Sequence, residues 1–192
     1  SWSSGRALSA RRGVYTRRTV STLSLMSRRL AFGSILVLVA VAVLRIASVW
    51  DSLPPSMASH FAAGGHAYVW LGRGGFFAFY FGGVGLVTAL LLGIGGLMRV
   101  LPDHLLNLPH REHWLAPERR EGTLERIARA FRVYAFTTVL FSAAVLELVL
   151  RANLEGRGLA NGPFFVMLVA YLAFTGIWTI QFTRAFAQPE AG

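Results

Sequence analysis

Four long, mostly apolar stretches constrain this chain more than any other feature. They run about 31–50, 76–98, 131–150 and 163–182, and each has the roughly 20 residues a helix needs to cross a bilayer. Backbone amides cannot stay unpaired in lipid, so runs this continuous read as helices. The ten-residue alternation of a barrel strand is missing. The spacing therefore predicts an all-α, integral-membrane four-helix bundle. Composition agrees: 54% of residues are hydrophobic and 15% charged, against roughly 25% charged in a soluble domain. The net charge of +10 would otherwise point to nucleic acid, but so apolar a chain cannot clothe a soluble nucleic-acid domain, and no nucleic-acid partner is expected. With no cysteine, disulfides, Cys-zinc sites and thiol catalysis are excluded.

All 19 basic residues are Arg, and their placement gives an orientation. Seven precede the first stretch: Arg6, Arg11, Arg12, Arg17, Arg18, Arg28 and Arg29. Six more lie between Arg99 and Ala130. The loop from Asp51 to Gly75 holds only Arg73, and Arg151 to Gly162 holds Arg151 and Arg157. Both termini and the 99–130 connection are thus expected in the cytoplasm, with the other two loops outside. Localisation follows as a multi-pass membrane protein, its first partner the lipid bilayer.

Residues 1–30 read as a basic arm without regular structure, 31–187 as the membrane domain and 188–192 as a tail. Within the arm, residues 1–25 are rich in Ser and Arg and carry no acid. Met26-Ser27-Arg28-Arg29 leads straight into the apolar run and reads as a candidate start. That run is too long for the core of a usual signal peptide and no Ala-x-Ala site follows, so it reads as a span.

Several residues inside the spans stand out. Gly85, Ala89 and Gly93 recur every four residues and make one helix face smooth. Such a face suits an oligomer seam or a moving helix; packing inside the bundle is the simpler expectation. Arg45 and Glu147 reach similar depth near the outer ends of the first and third spans. They are expected either to pair or to extend separately to the interface. Trp50, Tyr80 and Trp178 suit an interfacial belt or helix contacts equally. Pro117 to Arg132 reads as an amphipathic helix on the inner surface that runs into the third span, with Leu124, Ile127, Ala128 and Phe131 on one face.

Nothing nominates a reaction. Phosphate loops, dinucleotide fingerprints and nucleophile elbows are absent. His104, His110 and His113 cluster in sequence, and the two-residue gap between His110 and His113 can serve a metal with Asp103 or Glu112 completing the set, but there is no Cys and no His-Glu-x-x-His, and Pro109 stands just before His110. The expectation is a non-enzyme with no metal and no cofactor.

Two loop patterns carry a resemblance. Leu53-Pro54-Pro55-Ser56-Met57-Ala58-Ser59-His60-Phe61, followed by Gly65 and Trp70, resembles the Pro…His-Phe…Gly…Trp segment of a bacterial multi-pass membrane family. That family's domain has no assigned function, and distant relatives are immunity proteins against a sporulation-delaying toxin. Asn107-Leu108-Pro109, then Trp114 and Pro117-Glu118-Arg119-Arg120, is similar to the inner-loop signature of one branch. The chain departs at Ala62, where the family commonly has Asn, and at Ala67-Tyr68, where Pro-Asp is frequent. The resemblance spans about 31–186. It implies a location in a bacterial inner (cytoplasmic) membrane and a binding, sensing or, through the distant relatives, immunity-type role of the outer loop 51–75, with His60, Phe61, Gly65 and Trp70 contacting a ligand, peptide or membrane-protein partner.

The residues allow two further readings of His60: a folded cap in which it bonds backbone, or an acid sensor, since its ordinary pKa lies near 6.5. Asn107 and Trp114 are expected to organise the inner loop, capping a turn and anchoring at the interface. The alternative function is a transporter or an accessory subunit of a larger membrane complex; a membrane-embedded hydrolase using the histidines is a third.

Overall fold

The computed structural model describes residues 28–187. Most of the basic arm and the tail 188–192 therefore lie outside the described residues. In chain order come α1 (Arg28–Val49), β1 (Ser56–Phe61), β2 (Ala67–Gly72), α2 (Arg73–Val100), α3 (Arg111–Trp114), α4 (Arg120–Glu155) and α5 (Asn161–Ala187), with 3-10 turns at Trp50–Ser52 and Asp103–Leu105. Helices α1, α2, α4 and α5 are each long and apolar enough to cross a membrane. Leu36, Leu44, Leu86, Leu90, Val166 and Val169 all point outward from them. Water would penalise so much exposed aliphatic surface, and a bilayer would not.

Helix α1 begins three residues before the expected span, so Arg28, Arg29 and Leu30 belong to the helix and not to the arm. It stops at Val49 because Leu53 is held extended ahead of Pro54 and Pro55.

The expectation of an all-α fold is corrected in the loop that follows. Here β1 and β2 form an antiparallel hairpin with Met57 opposite Leu71, Ala58 opposite Trp70 and His60 opposite Val69. The pairing is irregular between Ala58 and His60. Met57 and Ala58 are buried while Ser56 and His60 are exposed, the signature of a strand lying on a core.

The helix expected over 117–132 does run into the third span, and a second correction concerns only its apolar face, which was expected on the membrane surface. Arg120 to Glu155 is one continuous helix of 36 residues. The turn into it starts at Ala116, whose carbonyl accepts from the Arg120 amide at 2.9 Å. Leu124 is buried with Leu106 and Leu115, and Ile127 with Trp114 and Phe186. The apolar face is real, but protein covers it.

Helix α4 is the hub on which α1, α2 and α5 pack. At the hairpin end, Ala42, Ile46, Phe76, Phe77, Leu146 and Leu150 close a core with Leu53 and Met57. Mid-span, Ile35 meets Ala135 and Val139. Helix α5 attaches differently, through rings and hydroxyls: Phe141 stacks on Tyr171 at 4.5 Å, and Thr138 Oγ1 lies 2.9 Å from the Tyr171 hydroxyl. Gly156, at φ 63°, ends α4 in the left-handed conformation that lacks a penalty only without a Cβ.

Candidate functional site

The hairpin is fixed to the helix ends at three places. Asn153, near the C-terminus of α4, accepts from the Ala58 amide at 2.7 Å and donates to the Ala58 carbonyl at 3.1 Å. Asn161, the first residue of α5, donates to the Ala63 carbonyl at 2.7 Å. The Leu159 amide donates to the Gly65 carbonyl at 2.9 Å. One amide side chain thus does for β1 what a neighbouring strand would do, satisfying both backbone groups of one residue. On the other flank the Arg73 guanidinium lies 4.7 Å from the Trp50 ring centre and donates to the Trp50 carbonyl. The Trp50 ring is 5.7 Å from Phe77, so this Trp is a helix-end contact whose outer side is exposed.

The four residues expected to contact a partner divide into two pairs. Gly65 is buried in the turn at φ 79°, and a Cβ there would stand 2.6 Å from the Leu159 carbonyl. Phe61 packs against the core. Both therefore build the cap. His60 and Trp70 are exposed, and Trp70 keeps 54% of its surface free. The His60 ring contacts Ser59 Oγ through Nδ1 at 3.1 Å, not backbone. It lies 6.1 Å from the ring of Tyr68, which is 61% exposed. Tyr68 belongs to this surface and was missed in the sequence; the alternation Tyr68-Val69-Trp70-Leu71 was the available signal.

Beneath the hairpin, Arg45 and Glu147 meet. Arg45 Nε donates to Glu147 Oε2 at 2.9 Å and Nη2 to Oε1 at 3.3 Å. Arg151, one turn further along α4, adds its Nε to Oε1 at 2.8 Å. The carboxylate therefore serves two guanidiniums.

At the opposite, Arg-rich end the inner-loop residues act as a lock on α5. Trp114 is buried, donates from Nε1 to the Phe186 carbonyl at 3.1 Å, and meets the Phe186 ring edge-to-face at 5.5 Å. Its expected interfacial position is thus corrected to a protein interior. His110 follows Pro109 in a left-handed conformation, φ 49°, and its Nε2 lies 3.1 Å from the Ala187 carbonyl. Two loop side chains thereby reach the Phe186 and Ala187 carbonyls of α5. Asn107 and Pro109 are exposed, and the Asn107 side chain caps no turn. His104, His110 and His113 border a shallow depression of about 710 Å³; among the described residues no three His, Asp or Glu are grouped to hold a metal. Trp178 also sits in a helix contact, donating to the Ala130 carbonyl at 3.2 Å and stacking on Phe182.

The smooth face of α2 is turned outward. A Cβ on Gly85 or Gly93 would meet nothing within 4 Å, and Ala89 is exposed. The close helix approach is made by Gly95 instead, where a Cβ would come within 2.5 Å of Ala128 Cβ.

No protein-family model matches this chain, nor does any curated protein or solved structure.

Proposed function

We propose that this chain is a multi-pass protein of a bacterial inner membrane whose hairpin cap binds or senses a partner outside, in the manner of an immunity protein, without catalysis. The observation that carries this reading is the pairing of a rigid mount with an exposed aromatic surface. Asn153, Asn161 and Leu159 hold the hairpin, while His60, Tyr68 and Trp70 face outward. Preorganised aromatic side chains bind at low entropic cost, which is why Trp and Tyr dominate contact energy at interfaces. The Arg distribution puts this surface outside and the 99–130 connection in the cytoplasm. The resemblance of the two loop motifs to the immunity-related family supports this reading, and a peptide or membrane protein is the partner class proposed.

The test is complementation. In a strain whose deletion has a phenotype, a variant with His60→Ala and Trp70→Ala should insert normally and fail to rescue. Full rescue by that variant would end the reading. A reporter fused after Ala187 should be active only on the cytoplasmic side.

The outward Gly85-Ala89-Gly93 stripe favours a second reading, an accessory subunit packed through α2 against another membrane protein or a second copy. Gly85→Leu with Ala89→Leu should then release a co-purifying partner or dissolve an oligomer. A monomer before and after those changes removes this reading.

A further inference from the structure

At the Arg-rich end, a cavity of about 420 Å³ lies where α1, α2 and α4 meet. Arg28, Arg99 and Arg132 reach its walls, with one carboxylate, Glu125. Phe32 and Leu92 give it an apolar side. Gly93 and Gly96 leave it open, because a Cβ on either would meet nothing within 4 Å.

The charges in this cavity do not cancel. Glu125 accepts from Arg132 Nη2 and from Arg99 Nη2 at 3.1 Å. Glu121, outside the lining, accepts from Arg99 at 2.9 and 3.2 Å. Arg99 and Arg132 therefore share two carboxylates, and Arg28 adds a third cation to the same cavity. Arg28 pairs with no carboxylate among the described residues; its guanidinium lies 5.8 Å from the Phe32 ring centre.

Arg132 supplies an independent sign. It is only 7% exposed, yet a single N–H bonds Glu125, and its Nε is buried without a hydrogen-bond partner. A buried guanidinium with N–H groups unused is a costly arrangement that an added acceptor relieves.

We propose that this cavity holds the phosphate of an anionic phospholipid. Guanidinium groups recognise phosphate through paired N–H donors, and basic pockets between membrane helices, at the level of the headgroups, have the right charge and position for it. The acyl chains leave along the Phe32 and Leu92 side, where the helices already present apolar surface. This goes beyond the hairpin reading and does not depend on it; it requires only that the four helices lie in a bilayer.

The experiment uses the full chain in nanodiscs of phosphatidylcholine alone, of phosphatidylcholine doped with phosphatidylglycerol, and of phosphatidylcholine with inorganic phosphate added. Phosphatidylglycerol should raise the thermal midpoint and stay bound in native mass spectra. Arg28→Gln and Gly96→Leu should each cut the retained phosphatidylglycerol by about tenfold while leaving the midpoint in pure phosphatidylcholine unchanged. These two positions are chosen because neither supports the fold: one has no ion pair and the other no neighbour. Equal retention of both lipids, or undiminished phosphatidylglycerol in both variants, overturns the proposal. A midpoint rise with inorganic phosphate as large as with phosphatidylglycerol overturns the lipid source and assigns the cavity to a soluble phosphate.

Discussion

The Arg45 guanidinium grips the Glu147 carboxylate through two N–H···O bonds, 2.9 and 3.3 Å long, across 102 positions of sequence. Arg45 lies near the end of α1 and Glu147 near the end of α4, so the pair fixes the relative height of the two helices beneath the hairpin. Removing Glu147 leaves Arg45 without a carboxylate, and removing Arg45 leaves Glu147 with Arg151 alone; removing both takes the unmatched charge away from the helix contact.

Arg45→Met or Glu147→Leu alone should therefore destabilise the protein, and the double variant should be less damaged than the sum of the two. The coupling expected for residues in contact is about 0.5–3 kcal/mol, readable from thermal midpoints in detergent. The charge-swapped pair, Arg45→Glu with Glu147→Arg, should recover only partly, because Arg151 would face the new cation at i+4. Adding Arg151→Ala to the swap should improve the recovery. Strict additivity of the single variants would show that the bonds carry no coupling.

The hairpin depends on Asn153 in a way that is equally testable. Asn153→Ala strips the Ala58 amide and carbonyl of their partners at once, and each buried polar group left unpaired costs about 1–3 kcal/mol. Hydrogen exchange should accelerate at the Ala58 amide and along β1 while the mid-span amides of α4 stay protected. Gly65→Ala should act in the same direction by a separate route, since its φ of 79° and the Leu159 carbonyl 2.6 Å from the Cβ position both forbid a side chain. Unchanged exchange in β1 for both variants would mean that the strand pairing alone holds the cap.

These residues show why some of the architecture could be read from the sequence and some could not. The four long helices were legible because a bilayer demands length and apolarity, and both are properties of composition alone. The hairpin was not: Ser56–Phe61 and Ala67–Gly72 are short, and what holds them is Asn153, 95 positions away. The face of Leu124 and Ile127 was legible as a period, but a period does not say whether lipid, water or protein covers it. Arg45 and Glu147 invited pairing because ionisable groups at matched depth need partners; Arg151 as third member follows only from the α4 helix running on to Glu155. Among the loop residues, sequence pattern selected Gly65 and Trp114 as sites, and the structure uses both to hold elements together.

Trp114 gives the last prediction. Its ring fills the space between Ile127 and Phe186, and its Nε1 donates to the Phe186 carbonyl at 3.1 Å. Trp114→Phe keeps most of the volume and loses the bond, so it should cost about 0.5–1.5 kcal/mol and loosen only the last turn of α5. Trp114→Ala also empties the space, at about 3–5 kcal/mol, and should free the 106–115 loop as well. The two variants are separated by limited proteolysis: the Phe form should be nicked near Phe186 alone, and the Ala form within the loop too. His110→Ala should reproduce the Phe pattern, because it removes the neighbouring contact to the Ala187 carbonyl without opening the core. If all three variants resist protease as the parent does, the C-terminal end of α5 is held by its helix packing and the loop is only draped over it.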